Sequence, residues 1–372
     1  MRIAFVTEGF FPLVVGGMER HTTMLCNEWA KFPDISLTVF AAGEKPSEIP
    51  KEIEFHSIFV PVAKQAYPKF LWNYSLQINR LLEHEDFDFI YCQGLSAIHI
   101  RHQAPVIYNP HGLEMFQQSR FSLWLKTAPL RWMARKCFES SEKVICLGGE
   151  LKKILLDNGC PEEKILFQPN GINLSYIECQ TKALGLKRQP KRFFFVGRLE
   201  PIKGAATLLE AFGEIRDPEA TLMIGGAGSL SESLRKKFSH DPRIVFLGKL
   251  TEEELYREFL LADAFVFPSH SDGMPTVLME AMACNRPVIA TDVGAAREIV
   301  KEGTGILVKP DDKKDLKGAL DRFLTLTDYQ KQAMGHSGYR HVAAHFNWPQ
   351  IARESLNQFK ELAKSREYSV VA

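Results

Sequence analysis

Two carboxylates separated by a glycine turn are the residues of this sequence best suited to bind a polar ligand. Asp272 and Gly273 end the turn-forming stretch 268–273, which follows the apolar run Ala264–Phe267, and Glu280 comes eight positions after Asp272. Glu280 is surrounded by apolar residues, where an unpaired charge is costly, so it must find donors or a proton. Either both carboxylates face a ligand, or Asp272 is a loop residue and Glu280 a paired structural one.

The residues around this pair predict a strand, a loop and a helix. Pro275 suits the first turn of a helix over Thr276–Ala283, and Gly273 and Met274 lead into its N-terminus. Backbone N–H groups at a helix N-terminus favour an anion. Open α/β sheets bind their ligands at the carboxyl ends of the strands. We therefore expect an anionic ligand beside this loop.

Two cations occupy the equivalent loop of another predicted βα unit. Arg198 and Lys203 lie between the predicted strand Arg192–Val196 and a predicted helix over 205–215. In a site shielded from water, a guanidinium and an ammonium can stabilise the negative charge of a phosphate group. The sequence therefore predicts a phosphate-binding role for this pair.

The N-terminal half carries a glycine loop and a histidine in similar positions. Gly16 and Gly17 follow the buried-strand run 1–7, and a side chain at either position would keep a ligand from the backbone. His111 follows the strand predicted over 105–110. The alternatives are a plain tight turn for the glycines and a structural role for His111.

Composition narrows the class of protein. The 372 residues suggest two domains, and a formal charge of +1 argues against nucleic-acid binding. No apolar run approaches the roughly 20 residues of a spanning helix, and Glu8 interrupts the N-terminal apolar stretch that a signal peptide would need. We expect a cytoplasmic protein whose seven cysteines are reduced and mostly buried.

Three further segments bear on organisation and partners. Asp86 and Asp88 form a D-x-D pattern at the start of a predicted strand, which we interpret as structural, and we predict no metal. The polar segment 180–190 is the predicted linker between the domains. The stretch 117–138 mixes basic residues, Arg120 among them, with aromatic ones. It is either a peripheral membrane contact, at the inner face of the membrane, or an ordinary helix pair with a charged face.

The two loop motifs together resemble the retaining glycosyltransferases of family 4. An acidic residue, seven intervening residues and a Glu match at Asp272 and Glu280, and G-R-L-x-x-x-K-G matches in full from Gly197 to Gly204. The family usually has Glu where this chain has Asp272. The resemblance implies an α/β protein of the GT-B fold, in which two Rossmann-like domains face each other across a cleft. It implies an N-terminal acceptor-side domain over 1–178, a nucleotide-sugar-binding domain over 191–345, and a terminal helix over 346–372 that crosses back to the first domain.

The resemblance also implies roles for the candidate residues. Glu280 would bind the ribose hydroxyls, Arg198 and Lys203 the leaving diphosphate, while Asp272 and His111 would orient the sugar. Donor contacts near the diphosphate are carried over to four further residues, Gly16, Gly17, Gly273 and Met274. The implied reaction is transfer of a hexosyl unit from a nucleoside diphosphate sugar to a glycan, lipid-linked or small-molecule acceptor, with retention of configuration and without a cofactor.

Competing functions stay open at this point. The fold would also suit a nucleotide-sugar epimerase or a phosphorylase, and the Asp272 departure would suit a catalytically weak nucleotide-sugar-binding protein. A dehydrogenase would need a glycine fingerprint after the first strand, and that fingerprint is missing. Motifs do not report which base, sugar or acceptor is used.

Overall fold

The chain folds into two compact units of α/β structure. The computed structural model describes the backbone of residues 1–14, 16–63, 65–117 and 121–371, and the side chains of these residues except at 121, 123 and 365–371. Arg120, part of the predicted membrane contact, lies outside the described residues. Unit 1 comprises Met1–Asn170 and Trp348–Ala372, and unit 2 comprises Gly171–Asn347.

Unit 1 is built on a seven-stranded parallel sheet in the order β3-β2-β1-β4-β5-β6-β7. Its strands are β1 Arg2–Thr7, β2 Ser36–Ala42, β3 His56–Val60, β4 Phe89–Gln93, β5 Val106–Asn109, β6 Lys143–Cys146 and β7 Ile165–Phe167. The helices before the unit boundary are α1 Gly17–Ala30, α2 Tyr67–Leu82, α3 Phe121–Lys126, α4 Ala128–Ser140 and α5 Glu150–Asp157.

Unit 2 contains a six-stranded parallel sheet in the order β10-β9-β8-β11-β12-β13. Its strands are β8 Arg192–Val196, β9 Thr221–Gly225, β10 Ile244–Gly248, β11 Ala264–Phe267, β12 Val288–Thr291 and β13 Gly305–Val308. Its helices are α6 Leu174–Leu184, α7 Ala205–Gly213, α8 Ser231–Phe238, α9 Glu252–Leu261, α10 Thr276–Ala283, α11 Ala296–Ile299, α12 Lys313–Thr325 and α13 Asp328–His345.

The last helix, α14 Trp348–Val371, belongs to unit 1. It packs on α1, where the indole of Trp29 donates a hydrogen bond of 3.1 Å to the Ala352 carbonyl. The rings of Trp29 and Phe359 meet edge to face in the same core. The chain therefore completes the core of unit 1 with its last segment.

The polar segment 180–190 is half helix. Residues 180–184 complete α6, whose inner side buries Leu174 and Ile177, and Gly185 closes the helix in the left-handed conformation with φ of 59°. The polar residues Gln180, Thr181 and Lys182 belong to this helix, whereas Lys187, Arg188 and Gln189 follow it in the loop before β8. The boundary between the units lies earlier, at Asn170 and Gly171.

In each sheet the strand order reverses at one place, which marks the crevice where open α/β sheets bind ligands. In unit 1 this place lies between β1 and β4, and in unit 2 between β8 and β11. The loops that follow these four strands carry most of the predicted site residues. The fold thus gathers them at the carboxyl edge of each sheet.

Several sequence features have a structural role away from these edges. The carboxylate of Asp88 accepts a 2.6 Å hydrogen bond from the amide of Arg2, at the start of β1. All seven cysteines are free thiols, and six are buried, Cys179 being the exposed one. In the described part of the chain, no three His, Cys, Asp or Glu residues gather as a metal site would need. No described helix combines the length and apolar character of a membrane span.

Candidate functional site

The loop after β8 is fixed against the loop after β11. Gly204 has φ of 68°, and a Cβ there would lie 1.9 Å from the Pro268 carbonyl oxygen, so only glycine fits. The amide of His270 donates to the Ile202 carbonyl at 2.8 Å. This contact between backbones sets the position of Lys203, which lies between Ile202 and Gly204.

Lys203 and Asp272 form an ion pair at this junction. Lys203 Nζ lies 2.5 Å from Asp272 Oδ2, and the side chains are 21% and 20% exposed. The other oxygen, Asp272 Oδ1, accepts a 3.0 Å hydrogen bond from the Gly273 amide. The structure therefore brings together two residues that the sequence placed 69 positions apart, and one donor expected to face an anion is bound by Asp272 instead.

A third loop supports Asp272. Gly294, after β12, has φ of 54°, and a Cβ there would lie 2.1 Å from the Asp272 carbonyl oxygen. The amide of Ala295 donates to the Gly273 carbonyl at 2.8 Å. Sequence analysis did not assign Gly294 to the site, although a glycine at the carboxyl end of a strand next to the switch point could have indicated it.

Arg198 lies on the same loop as Lys203 and is exposed. No hydrogen bond ties its guanidinium to another described residue, whereas the neighbouring Glu200 is bound by both the hydroxyl and the amide of Ser229. Those hydrogen bonds, and then the charge of Arg198, lower the pKa of Glu200. Arg198 thus remains available as a cation for an external anion.

The helix after this loop, α10, carries the remaining predicted residues of unit 2. It begins without a side-chain N-cap, and the side chain of Met274 before it is buried. Any ligand contact by Met274 must therefore use the backbone. Glu280 is half-buried, and its charge adds to burial in raising the pKa of Tyr256 on α9.

The two predicted glycines of unit 1 differ in their surroundings. A Cβ on Gly16 would lie 2.1 Å from a carboxylate oxygen of Glu19, whereas a Cβ on Gly17 would have no atom of a described residue within 4 Å. Glu19 already places a negative charge beside the N-terminus of α1, which weakens that end of the helix as an anion site. The open space is at Gly17.

His111 lies at the end of β5 in a conformation that side chains rarely adopt, with φ of 55°. The backbone amide of His111 donates a 2.9 Å hydrogen bond to the side-chain oxygen of Asn109, which helps to hold this conformation. Burial lowers the pKa of His111 to about 3. Its Nε2 atom is buried and has no hydrogen-bond partner among the described residues. A neutral imidazole with one unused nitrogen is therefore held at this edge.

A second histidine, absent from the sequence prediction, touches the first. The ring of His21 in α1 meets that of His111 edge to face, with 4.6 Å between centroids. Burial, and then the proximity of His111, lower the pKa of His21 well below its usual value. Its Nε2 atom is also buried without a partner among the described residues. The unit 1 edge thus holds two neutral imidazoles.

Gln93, at the end of β4, fixes the tautomer of His21. The hydroxyl of Thr22 donates to Gln93 Oε1 at 2.5 Å, which leaves the amide nitrogen of Gln93 to donate to His21 Nδ1 at 2.6 Å. His21 therefore carries its proton on Nε2. A polar residue ending a fully buried strand at the switch point was the sequence signal for this network.

Glu8 is a carboxyl group at this edge with an altered pKa. It follows β1, accepts a 3.1 Å hydrogen bond from the Tyr67 hydroxyl, and lies close to Gly94, where a Cβ would be 2.8 Å from its oxygen. Burial is the main cause that raises the pKa of Glu8 to about 7, with Glu19 adding to it. Near neutral pH this carboxyl group is half protonated.

The basic and aromatic stretch 117–138 forms α3 and most of α4. Trp124, Leu125 and Trp132 are among its exposed side chains. Arg131 is buried instead, with its guanidinium 4.2 Å from the centre of the Trp124 ring and bonded to the Trp124 carbonyl at 2.6 Å. One of the expected surface cations is therefore part of the packing between the two helices.

Comparison with known families matches both halves of the chain. The model described as "Glycosyltransferase Family 4" matches residues 15–176. The model described as "Glycosyl transferases group 1" matches residues 177–340. The matched regions include His111 in the first half, and Lys203, Asp272 and Glu280 in the second.

Individual proteins are similar over most of the chain. An uncharacterized glycosyltransferase of Methanocaldococcus jannaschii is 26% identical, covering 97% of this chain and 98% of its own length. The UDP-Gal:alpha-D-GlcNAc-diphosphoundecaprenol alpha-1,3-galactosyltransferase of Escherichia coli is 28% identical, covering 66% of this chain and 69% of its own. The solved sucrose-phosphate synthase of Thermosynechococcus elongatus superposes with a TM-score of 0.80 at 20% identity, covering 98% of this chain and 99% of that one.

Proposed function

This chain belongs to family 4 of the glycosyltransferases and has the GT-B fold, and from that premise we propose that it moves a hexosyl unit from a nucleoside diphosphate sugar to an acceptor hydroxyl, with retention of configuration. The observation that carries the proposal is the ion pair of Lys203 and Asp272, which three interlocked loops hold at the switch point of the unit 2 sheet.

Lys203 and Arg198 are the residues that we assign to the leaving diphosphate. Both lie on the loop after β8, and Arg198 is exposed without a hydrogen-bonded partner in the described structure. As the bond to the sugar breaks, charge builds on the diphosphate, and fixed cations stabilise that charge without reorganising. Asp272, held by Lys203 and Gly273, then offers its carboxylate edge to sugar hydroxyls.

Glu280 is assigned to the ribose hydroxyls of the donor. A half-buried carboxylate accepts such hydrogen bonds strongly because little water competes with them. Gly273 and Met274 contribute backbone groups at the start of α10. In unit 1 we assign the same kind of donor contact to the backbone amide of Gly17, at the start of α1.

His111 supplies a neutral hydrogen bond to the sugar. Its low pKa keeps it uncharged at physiological pH, and the neighbouring His21 and Gln93 restrict how its ring can turn. In this scheme the departing phosphate oxygen takes the proton of the acceptor hydroxyl on the same face of the sugar. Catalysis then comes from positioning and charge stabilisation and requires no metal.

A donor screen tests the proposal. The melting temperature of the full chain is measured with UDP-, GDP- and ADP-sugars, since a ligand that binds only the folded state raises it. The stabilising donor is then incubated with lipid-linked and soluble acceptors in the presence of a chelator, and the anomeric configuration of the product is read by NMR. An inverted product, or activity abolished by the chelator, would contradict the mechanism.

The Escherichia coli relative is named for a sugar acceptor linked to diphosphoundecaprenol, which is a lipid. The exposed aromatic residues of unit 1 fit a lipid-linked substrate of this kind. We propose that α3 and α4 rest on the cytoplasmic face of a membrane through Trp124, Leu125 and Trp132. Indole rings favour the interface between water and lipid.

Sedimentation with vesicles tests this contact. Wild-type protein should bind vesicles rich in phosphatidylglycerol, and Trp132→Ala should weaken binding several-fold. Tyr329→Ala is the matched control, because Tyr329 is an exposed aromatic residue of unit 2 at 81% exposure. Equal loss in both variants, or no binding by the wild type, would refute the membrane contact.

A second function is a nucleotide-sugar-binding protein with weak activity, which the shorter Asp272 favours. A donor that binds tightly but is transferred to no acceptor would support it. In that case Asp272→Glu should restore transfer, because the longer side chain reaches one methylene further into the site. Isomerisation of the donor without an acceptor would instead indicate an epimerase.

A further inference from the structure

Unit 2 has a cavity at the opposite edge of its sheet from Lys203. The cavity has a volume of about 430 Å³ and is lined by cationic and amide side chains, including Arg188, Arg286, Lys331 and Gln332. Arg188 precedes β8 and Arg286 precedes β12, so the cavity lies at the amino ends of the parallel strands. It is therefore separate from the candidate donor site.

Asp263 forms the base of this region. It is fully buried and pairs with Lys331 Nζ at 2.9 Å and with the guanidinium of Arg188. The second nitrogen of Arg188 lies 2.8 Å from Asp328, an exposed carboxylate. Both cations are therefore held rigidly in place, with one buried negative charge shared between them.

Arg286 has no carboxylate of its own in the described structure. Its Nε donates to the Cys284 carbonyl at 2.9 Å and its Nη1 to the Ala262 carbonyl at 3.1 Å. Burial lowers the pKa of Arg286 and the positive charge of Arg188 lowers it further, while the negative charge of Asp263 raises it. A half-buried guanidinium close to another cation gains from an anion that binds both of them.

The wall of the cavity is closely packed. Gly335 on α13 lies so near the turn at Asn285 that a Cβ would be 2.3 Å from the Asn285 carbonyl oxygen. Asn285 itself has φ of 56°. Because these contacts hold the turn against α13, the three cations keep their spacing without a ligand present.

We propose that this cavity binds a phosphate group, either inorganic phosphate or the phosphate of a small soluble monoester. The side chains of Arg188, Arg286 and Lys331 supply donors, and Arg286 is the one whose charge the phosphate would balance. Gln332 and the exposed His336 lie at the same cavity and would face the rest of a monoester. This site goes beyond sugar transfer and does not depend on it.

Calorimetric titration of the full chain with inorganic phosphate, at constant ionic strength against chloride, tests the proposal. Saturable binding of one phosphate per chain is expected. Arg286→Met should weaken it by at least about tenfold, since a charge-assisted hydrogen bond is lost. Arg340 is an exposed arginine of α13, the helix that carries Lys331, and Arg340→Met should leave phosphate binding unchanged.

A second variant covers the case in which Arg286→Met fails to fold. Gln332→Glu changes only an exposed side chain at the cavity, and its new charge should weaken phosphate binding about fivefold. Phenyl phosphate binding more tightly than inorganic phosphate would identify a monoester, and weaker binding would identify the free anion.

The donor site must be distinguished from this one. Lys203→Ala should leave phosphate binding intact, and Gln332→Glu should leave stabilisation by the nucleotide sugar intact. Phosphate binding that disappears in Lys203→Ala, persists in both cavity variants, or is absent from the wild type would overturn the proposal. A failure of sugar transfer alone would not affect it.

Discussion

The carboxyl edges of the two sheets have the same topology but carry different chemical groups. In unit 2 the edge holds charge, with Lys203 and Asp272 paired and Arg198 exposed beside them. In unit 1 it holds the neutral imidazoles of His21 and His111 beside two carboxyl groups, Glu8, whose pKa burial raises to about 7, and Glu19 next to Gly16. Both edges lie where strand order reverses, so the difference comes from side chains and not from fold.

For the sugar-nucleotide donor that we propose, the contrast indicates which part of the ligand each edge would suit. A diphosphate gains negative charge as it leaves the sugar, and fixed cations stabilise that charge. Sugar and acceptor hydroxyls are neutral, so the two uncharged imidazoles of unit 1 can hydrogen-bond to them without the cost of burying a charge. Burial depresses the pKa of both histidines, and that is how unit 1 avoids the cost.

The largest expected effect comes from removing charge in unit 2. Lys203→Ala should lower kcat by about 10²–10³-fold at saturating donor, the range seen when one fixed electrostatic donor is removed. Lys313→Ala is the matched control, because Lys313 pairs with Glu214 at 2.8 Å on the exposed surface of the same unit. Steady-state kinetics distinguish the two variants. Near-normal turnover in Lys203→Ala would refute the proposal that Lys203 stabilises the leaving diphosphate.

A substitution at Gly294 should disturb the loops at the carboxyl edge of unit 2 without removing any of its charged side chains. Gly294→Ala forces a Cβ against the Asp272 carbonyl at a positive φ, which we expect to cost on the order of 3 kcal/mol and to displace Asp272. Thermal unfolding and kinetics of the variant measure both effects. Gly213→Ala, where a Cβ would meet no atom of the described part of the chain within 4 Å, is the control and should change stability little. Equal behaviour of the two variants would show that the third loop does not hold Asp272.

Much of the fold followed from local pattern. Apolar runs such as Arg192–Val196 are buried strands, and glycine-rich loops after them are the switch-point loops. The capping box of Thr251 and Glu254, visible in the sequence, does begin α9. The helix α13 was missed, because its buried positions include Lys331, Gly335 and Gly338 and give no apolar stripe.

The site was predictable only where motifs marked it. The residues of unit 2 stand in recognisable spacing, so the sequence alone identifies Lys203 and Asp272 as site residues. His21 and Gln93 are hydrogen-bonded to each other, and Glu8 lies next to Gly94. These residues come from separate segments of the chain, and no local pattern reports which polar groups share a buried space. Burial itself makes them chemically distinct, and burial is a tertiary property.

The neutral edge of unit 1 predicts a loss of stability in acid. The pKa of His111 is about 3 in the folded protein and about 6.5 when unfolded, so the unfolded chain binds more protons between these values. Stability should therefore fall as pH drops below about 6.5, by on the order of 2–3 kcal/mol. His111→Asn keeps a residue that tolerates positive φ and should flatten this slope.

Melting temperatures of the wild type and His111→Asn between pH 4 and 7 measure the effect. His336→Asn, an exposed histidine of unit 2, is the control and should retain the wild-type slope. Parallel curves for the wild type and His111→Asn would mean that His111 is charged or solvated, and the contrast between the edges would be weaker than we infer.

Glu8 should act in the opposite direction and more weakly. Its folded pKa of about 7 lies above the unfolded value near 4.5, so the folded chain holds the extra proton between them. That stabilisation is complete below about pH 4.5 and is lost as pH rises through 7, by on the order of 1–2 kcal/mol once solvent access to the carboxyl is allowed for. Relative to Glu8→Gln, the wild type should lose melting temperature from pH 5 to 8, whereas exposed Glu44→Gln should follow the wild type. A wild-type curve that rises against Glu8→Gln would place an ionised carboxylate at this edge and make the two edges alike.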